Sequence, residues 1–297
     1  MYKNHGVIKD PRSAAEVARD FMAGASPVPQ VALQEDGQWD NFLPVYESQL
    51  IEQSIDTLGC VTFSQLNCFE ILFKRLFGVE VNFSDRSIAK LSNTDKNNGN
   101  WPMNVLNTIR KYGLTAEREW PLEPNMTTKK QYYADVPQAV IDKSKKFLEL
   151  YIPNGEFIWP VTKDNLIANL RYSPIQVIAY NSSHAITCFG ENKDTGKAKM
   201  FDHYQNFGTN VYDYDWSGIS YAMKFSLARI IANFVKTKTS STIYLKVDGD
   251  LPVLAPIKNS GTYWELSNRK QTDGWAYSMI TEEELKKYKI IKPISVY

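Results

Sequence analysis

The sequence predicts an α+β fold: a helical half, then an antiparallel β half, then a small β-rich module. Three observations carry this. From Cys60 to about residue 151 apolar residues recur at helical spacing. Past Trp159 they gather into short β-rich runs separated by turn residues. After the polar stretch 236–241 the texture becomes short strands punctuated by Gly and Pro.

Residues 12–23 read as a short amphipathic helix through Ala14, Val17, Ala18, Phe21 and Met22, and "GASPVPQ" breaks it. An extended arm follows to about Gln49. The next helix begins at or just after Cys60, where Gly59 lets the chain turn. Leu66, Phe69, Phe73 and Leu76 supply its apolar face, and Gly78 ends it. "NNGNW" (97–101) is a loop. The helix after it has Pro102 in its first turn and Gly113 past its end. Further helices are expected over 136–151 and 162–173. Residues 174–180 and 184–191 read as strands, "NKDTG" as a hairpin turn and 197–202 as the return strand. In the last segment three short strand candidates precede a helix over 281–288, capped by Thr281 with Glu284 at the capping-box position. The organisation expected is an arm (1–38), a main domain (39–236) and a small module (240–297).

Composition bounds the function. The 297 residues are 43% hydrophobic and 23% charged, with a formal net charge of +1. That suits a globular chain with a sizeable core. No strong positive field exists to hold nucleic acid or an anionic membrane. No apolar run has the length of a membrane span. The N-terminus has no apolar h-region, so no Sec signal peptide is expected, and a cytoplasmic or virion-associated location follows. Three cysteines are too few, and odd in number, for a disulfide framework. No metal and no organic cofactor is expected.

Cys60 opens a helix, where the dipole and free N–H groups favour a thiolate and can serve an oxyanion. Position alone leaves it open between nucleophile and buried structural thiol. Cys68 lies about 12 Å further along the helix, beyond disulfide reach, and is expected in the core; so is Cys188. His184 opens a strand after the polar "NSS". Asp202 closes the hairpin that His184 begins, and an antiparallel pair brings such ends together. A carboxylate there fixes the imidazole tautomer and stabilises the imidazolium. Cys60, His184 and Asp202 then form nucleophile, base and orienter, with Asn206 a rival orienter.

These residues resemble papain-like cysteine proteases. "CVTFS" (60–64) stands where the family has Cys-Trp-Ala-Phe-Ser. "WDNFLPVYESQ" (39–49) is similar to its approach segment. "NNGNWPMNVLNTIRKYGL", "DNLIANLRYSPIQVIAYN" and "HAITCFGEN" follow in family order. The separation of Cys60 and His184 is near the roughly 130–150 residues expected of such chains. The departures are "TLG" before the nucleophile, Val61 in place of Trp, and Asp202 in place of Asn, although "NFGT" (206–209) keeps Asn206 in play. The overall style resembles divergent bacterial and phage members.

The resemblance implies a two-lobed fold and peptide-bond hydrolysis on a peptide or protein substrate. It implies an oxyanion donor at Gln49, which matches by motif, or Gln53, which matches by distance. It implies substrate contacts at Gly99, Asn100 and Trp101. Residues 1–38 are then a propeptide-like arm, and 240–297, similar to repeats of cell-surface and phage proteins, an attachment module for virion or cell-surface assembly. Two other expectations stand beside this one: a non-catalytic virion or cell-surface protein on the same fold, and a peptidoglycan amidase or endopeptidase.

Overall fold

The structure is a computed structural model that describes residues 6–8, 32–51, 55–179, 183–206 and 209–230, with strand segments at 247–248, 254–256, 263–266 and 280–281. The chain divides into two units: Met1–Leu148 with Pro153–Leu227, and Glu149–Ile152 with Ala228–Tyr297.

In the first unit a short hairpin joins β1 (Leu50–Ile51) to β2 (Ile55–Asp56). Helix α1 (Cys60–Phe77) follows, then α2 (Asp85–Leu91), α3 (Pro102–Tyr112), the single turn α4 (Lys129–Tyr132), α5 (Gln138–Leu150) and α6 (Lys163–Leu170). The expected boundaries hold closely. Gly78 closes α1 in the left-handed conformation (φ +67°), Pro102 sits in the first turn of α3, and Thr162 caps α6 through the Asn165 amide.

The β half is an antiparallel sheet built on β3 (Tyr151–Phe157), β4 (Ile175–Ala179), β5 (His184–Asn192), β6 (Lys197–Asn206), β7 (Thr209–Tyr214) and β8 (Tyr221–Ile230), in the order β3-β8-β4-β5-β6-β7. β4 is buried at every residue, which is why it reads as a continuous apolar run. β7 alternates between exposed and half-buried positions. Its polar composition left no apolar run to read. The turn before α1 also differs from expectation: Gly59 has φ −88°, and the left-handed residue is Leu58, at φ +55°. Glycine at 59 answers to space, because a Cβ there would meet Phe63 at 3.1 Å and Thr57 Oγ1 at 3.2 Å.

Every residue of α1 from Cys60 to Phe73 is buried. A helix buried on all sides must be apolar around its circumference or find partners for each polar group. Both occur. Phe69 packs on Phe225 of β8 (5.1 Å), and Phe73 meets Phe83, which meets Phe147 of α5. Glu70 accepts the Phe83 amide at 2.7 Å. Cys68 and Cys188 are buried free thiols. Trp39, 0% exposed, donates its indole N–H to Leu170 O and its amide to Phe189 O. No described helix is long and apolar enough to cross a membrane.

In the second unit β9 (Val247–Asp248) pairs with the end of β8, and β10 (Leu254–Pro256), β11 (Tyr263–Leu266) and β12 (Ile280–Thr281) form an antiparallel sheet. Thr281, expected as a helix cap, pairs with Tyr263 in this sheet. The helix expected over 281–288 and the one over 12–23 lie outside the described residues, apart from Thr281 itself.

Candidate active site

Cys60 is the first residue of α1, fully buried, with Gly59 as N-cap. The Thr62 and Phe63 amides both reach Gly59 O. The Cys60 and Val61 amides precede the first intrahelical acceptor and are left to serve other groups.

His184 is the first residue of β5, at the edge of the register that joins β5 to β4 (Ala179↔His184). β5 pairs with β6 through Thr187↔Phe201 and Cys188↔Met200. Carrying that register on by three residues sets Tyr204 opposite His184 and Asp202 on the diagonal, on the same face. Diagonal neighbours are within reach of long side chains. His184 Nε2 lies 2.8 Å from Asp202 Oδ1, with 1% and 0% of the side chains exposed. Asp202 is therefore a mid-strand residue, and β6 continues beyond it to Asn206.

Asp202 is held on every side. Its Oδ1 also accepts the Tyr204 amide (3.1 Å), and its Oδ2 accepts the Tyr212 hydroxyl from β7 (2.7 Å). Burial opposes its ionisation, but the His184 charge and hydrogen bond, with the Tyr212 hydroxyl, hold it below the usual carboxylate range. Burial likewise opposes protonation of His184. The Asp202 carboxylate, and then hydrogen bonding and charge from Cys60, outweigh it and raise the imidazole to about 10. The ring thus meets Asp202 on one side and responds to the Cys60 thiol as well.

His203, which the sequence places beside Asp202 without a role, is 1% exposed; its ring lies tilted against Phe63 (centroids 5.3 Å) and edge-on to His184 (5.4 Å). Burial lowers it to about 3 despite the neighbouring Asp202, so it stays neutral beside the charged pair. His184, Asp202 and His203 each have a metal-ligating atom within 4.8 Å of the others. Both Asp202 oxygens and His184 Nε2 in that group are already hydrogen-bonded.

Gln49 is fully buried between Asp56 and Tyr204: its Nε2 donates to Asp56 Oδ1 at 2.9 Å and also to the Tyr204 hydroxyl. Both amide hydrogens are committed there. Gln53 lies outside the described residues, and so does the Asn206 side chain. The loop residues Gly99 and Asn100 touch the N-terminal segment. Asn100 donates its amide to Gly6 O (2.8 Å) and accepts from the Ile8 amide (2.9 Å), in a parallel bridge to Val7. Gly6 in turn lies against Leu58, whose carbonyl oxygen a Cβ on Gly6 would meet at 2.2 Å. The Asn100 side chain is tied to Ser92 and Thr94, and Trp101 packs against Tyr221 and Phe157. Sequence reasoning missed Tyr204 and Tyr212. The period-two alternation of β6 was a signal for Tyr204; Tyr212 depends on a register that shifts between Phe201 and Asn206.

The site thus joins a thiol at a helix mouth to an imidazole and a carboxylate on an antiparallel sheet, within an α+β fold. Solved structures similar to the chain are papain-like cysteine proteases. Bromelain from Ananas comosus, in complex with the inhibitor E64, is 13% identical over 64% of this chain and 97% of that one (TM-score 0.45). Digestive procathepsin L 3 of Tenebrio molitor is 12% identical over 75% and 76% (TM-score 0.47). A cysteine protease of Carica candamarcensis is 12% identical over 64% and 96% (TM-score 0.47). No protein-family model and no curated protein sequence matches the chain. Likeness at this level carries nothing about substrate or activity.

Proposed function

We propose that the chain is a thiol-dependent hydrolase of peptide bonds. The observation that carries it is His184, held by Asp202 at 2.8 Å and in interaction with Cys60 at the start of α1. His184 takes the Cys60 proton, and the thiolate attacks the amide carbonyl carbon. The oxyanion is met by the Cys60 backbone N–H and by a side-chain amide from Gln49 or Gln53. Gln49 can serve only by exchanging one of its bonds to Asp56 and Tyr204. Collapse breaks the C–N bond, His184 protonates the leaving amine, and water resolves the thioester. Asp202 orients the ring in this scheme, with Asn206 the rival for that role. Gly99, Asn100 and Trp101 line the path of an extended substrate. Residues 6–8, paired to Asn100, are the part of a propeptide-like arm that occupies that path.

The test is an epoxide-type thiol probe applied to the full chain and to a form lacking residues 1–38. Labelling that disappears in Cys60→Ala supports the assignment. Absence of labelling in both forms sinks it. A second reading has its own observation: Cys60 and His184 are 0% and 1% exposed, as in a non-catalytic protein that keeps the fold. That protein would serve in a virion or cell-surface assembly through residues 240–297. Hydrolysis of peptidoglycan in place of protein would mark the amidase alternative.

A further inference from the structure

A chain of buried amides and hydroxyls runs between the nucleophile helix and the sheet, and the chemistry above does not use it. Gln176, on β4, is 0% exposed, as are Ser64, Gln65 and Thr187. Its carboxamide makes three bonds. One N–H goes to Val61 O (2.9 Å) and the other to Ser64 Oγ (2.7 Å), while its oxygen accepts from Gln65 Nε2 (3.0 Å). Ser64 Oγ passes its own hydrogen to Cys60 O at 2.6 Å. Gln65 spends its second N–H on Pro102 O (2.8 Å), next to the Gly99–Trp101 loop. Thr187, paired with Gln176 across β4 and β5, donates to Ser64 O.

Three parts of the site therefore meet at one side chain. Gln176 holds two groups in the first turn of α1, whose first residue is Cys60. It lies on the strand that pairs with the His184 strand, three residues from the Ala179↔His184 pair. Through Gln65 it reaches the loop expected to contact substrate. A fully buried amide with all these bonds made has one orientation, and in a low-dielectric interior each bond resists displacement. An apolar residue would fill the space without fixing how far α1 is turned or slid against the sheet.

We propose that Gln176 is a positioning residue that registers Cys60 against His184. The proposal rests on the reading of those two residues as nucleophile and base. Misplacement of reacting groups by about 1 Å can cost on the order of 10²-fold in rate. Gln176→Met keeps the volume and removes both donors. It is expected to slow thiol-probe labelling of Cys60 by a factor on that order. It is also expected to move the His184 titration, followed by NMR of the imidazole, down toward the midpoint of Cys60→Ala. Phe147→Leu, a core variant remote from the network, should do neither at matched loss of stability. If Gln176→Met does not fold, Gln176→Asn, which withdraws the same donors by one methylene, is read in its place. Wild-type labelling and an unmoved His184 midpoint in the folded variant would overturn the proposal and leave the hydrolase reading intact. If Cys60→Ala itself leaves the His184 midpoint where it was, the Cys60–His184 pairing is absent and both fall.

Discussion

His184 and Asp202 face one another diagonally across β5 and β6, Nε2 to Oδ1 at 2.8 Å, in a setting almost closed to water. An ion pair in such a place survives only with its remaining lone pairs satisfied, and the Tyr204 amide and Tyr212 hydroxyl do this for Asp202. The pair has a definite pH signature. Burial works against both charges, but each partner, with Cys60 acting on the ring, overcomes it. A raised imidazole contributes stability that is complete below its unfolded value of 6.5 and is lost as pH climbs toward about 10. The depressed carboxylate contributes stability that is present above its ordinary value of 3.8 and is lost below it. The pair's contribution should therefore be largest between about pH 4 and 6.5. Melting temperatures of wild type and Asp202→Asn, measured from pH 3 to 10, should differ most in that window and converge on both sides. A difference that keeps growing toward pH 10 would contradict the assignment.

Tyr212→Phe tests the outer support of Asp202. The substitution removes one hydroxyl and leaves Oδ2 buried without its 2.7 Å donor. Loss of a hydrogen bond to a charged buried group costs about 1.5–3 kcal/mol. The carboxylate should then titrate at higher pH, so the acid limb of stability, and of hydrolysis if the site is active, should move upward. Chemical denaturation at pH 7 and at pH 3 measures both effects, with the full deficit expected at pH 7, where the carboxylate is ionised, and a smaller one at pH 3.

How much of this was legible beforehand follows from the kind of interaction involved. Cys60 at the mouth of α1 could be read because helix starts carry local signals. The approach of His184 and Asp202 could be read because a short turn forces two strands together. The mid-strand setting of Asp202 could not, since it depends on β6 running on to Asn206. Tyr212 escaped notice because its reach to Asp202 crosses a register shift. Gln176 looked like one polar residue in an apolar strand. Its meaning comes from the packing of α1 over the sheet, which no local pattern encodes. The commitment of Gln49 to Asp56 and Tyr204 was hidden for the same reason.

The helical half holds a second group of charges whose sign runs the other way. Glu70, Asp85 and Glu117 are each raised, by burial first, and the charge of Glu47 adds to the rise in all three. Glu117 is pushed from 4.5 to about 8, by burial first and the charge of Glu47 next, against the Leu122 amide that it accepts. A carboxyl raised on folding contributes stability that is whole below its unfolded value and is lost as pH rises toward the folded one. Glu117→Gln should therefore melt higher than wild type at pH 8 and gain nothing at pH 4. Equal gains at both values would show that the carboxyl is not held neutral by its surroundings.

Gly99 and Gly6 bring two stretches of backbone close together. Gly99 has φ +91°, and a Cβ on it would stand 1.7 Å from the Gly6 carbonyl oxygen. Backbone on both sides leaves no flexible side chain to yield, so Gly99→Ala must either distort its own loop or expel residues 6–8. The two Asn100 bonds to Gly6 and Ile8 would be lost in the second case. If residues 6–8 cover the path to Cys60, expulsion should speed thiol-probe labelling, and deletion of residues 1–8 should do so without the strain. Melting temperature separates the routes. Gly99→Ala should lose stability beyond the deletion if its loop is distorted, and match the deletion if expulsion alone occurs. Labelling that is no faster in the deletion would show that these residues buttress the loop and do not guard the thiol.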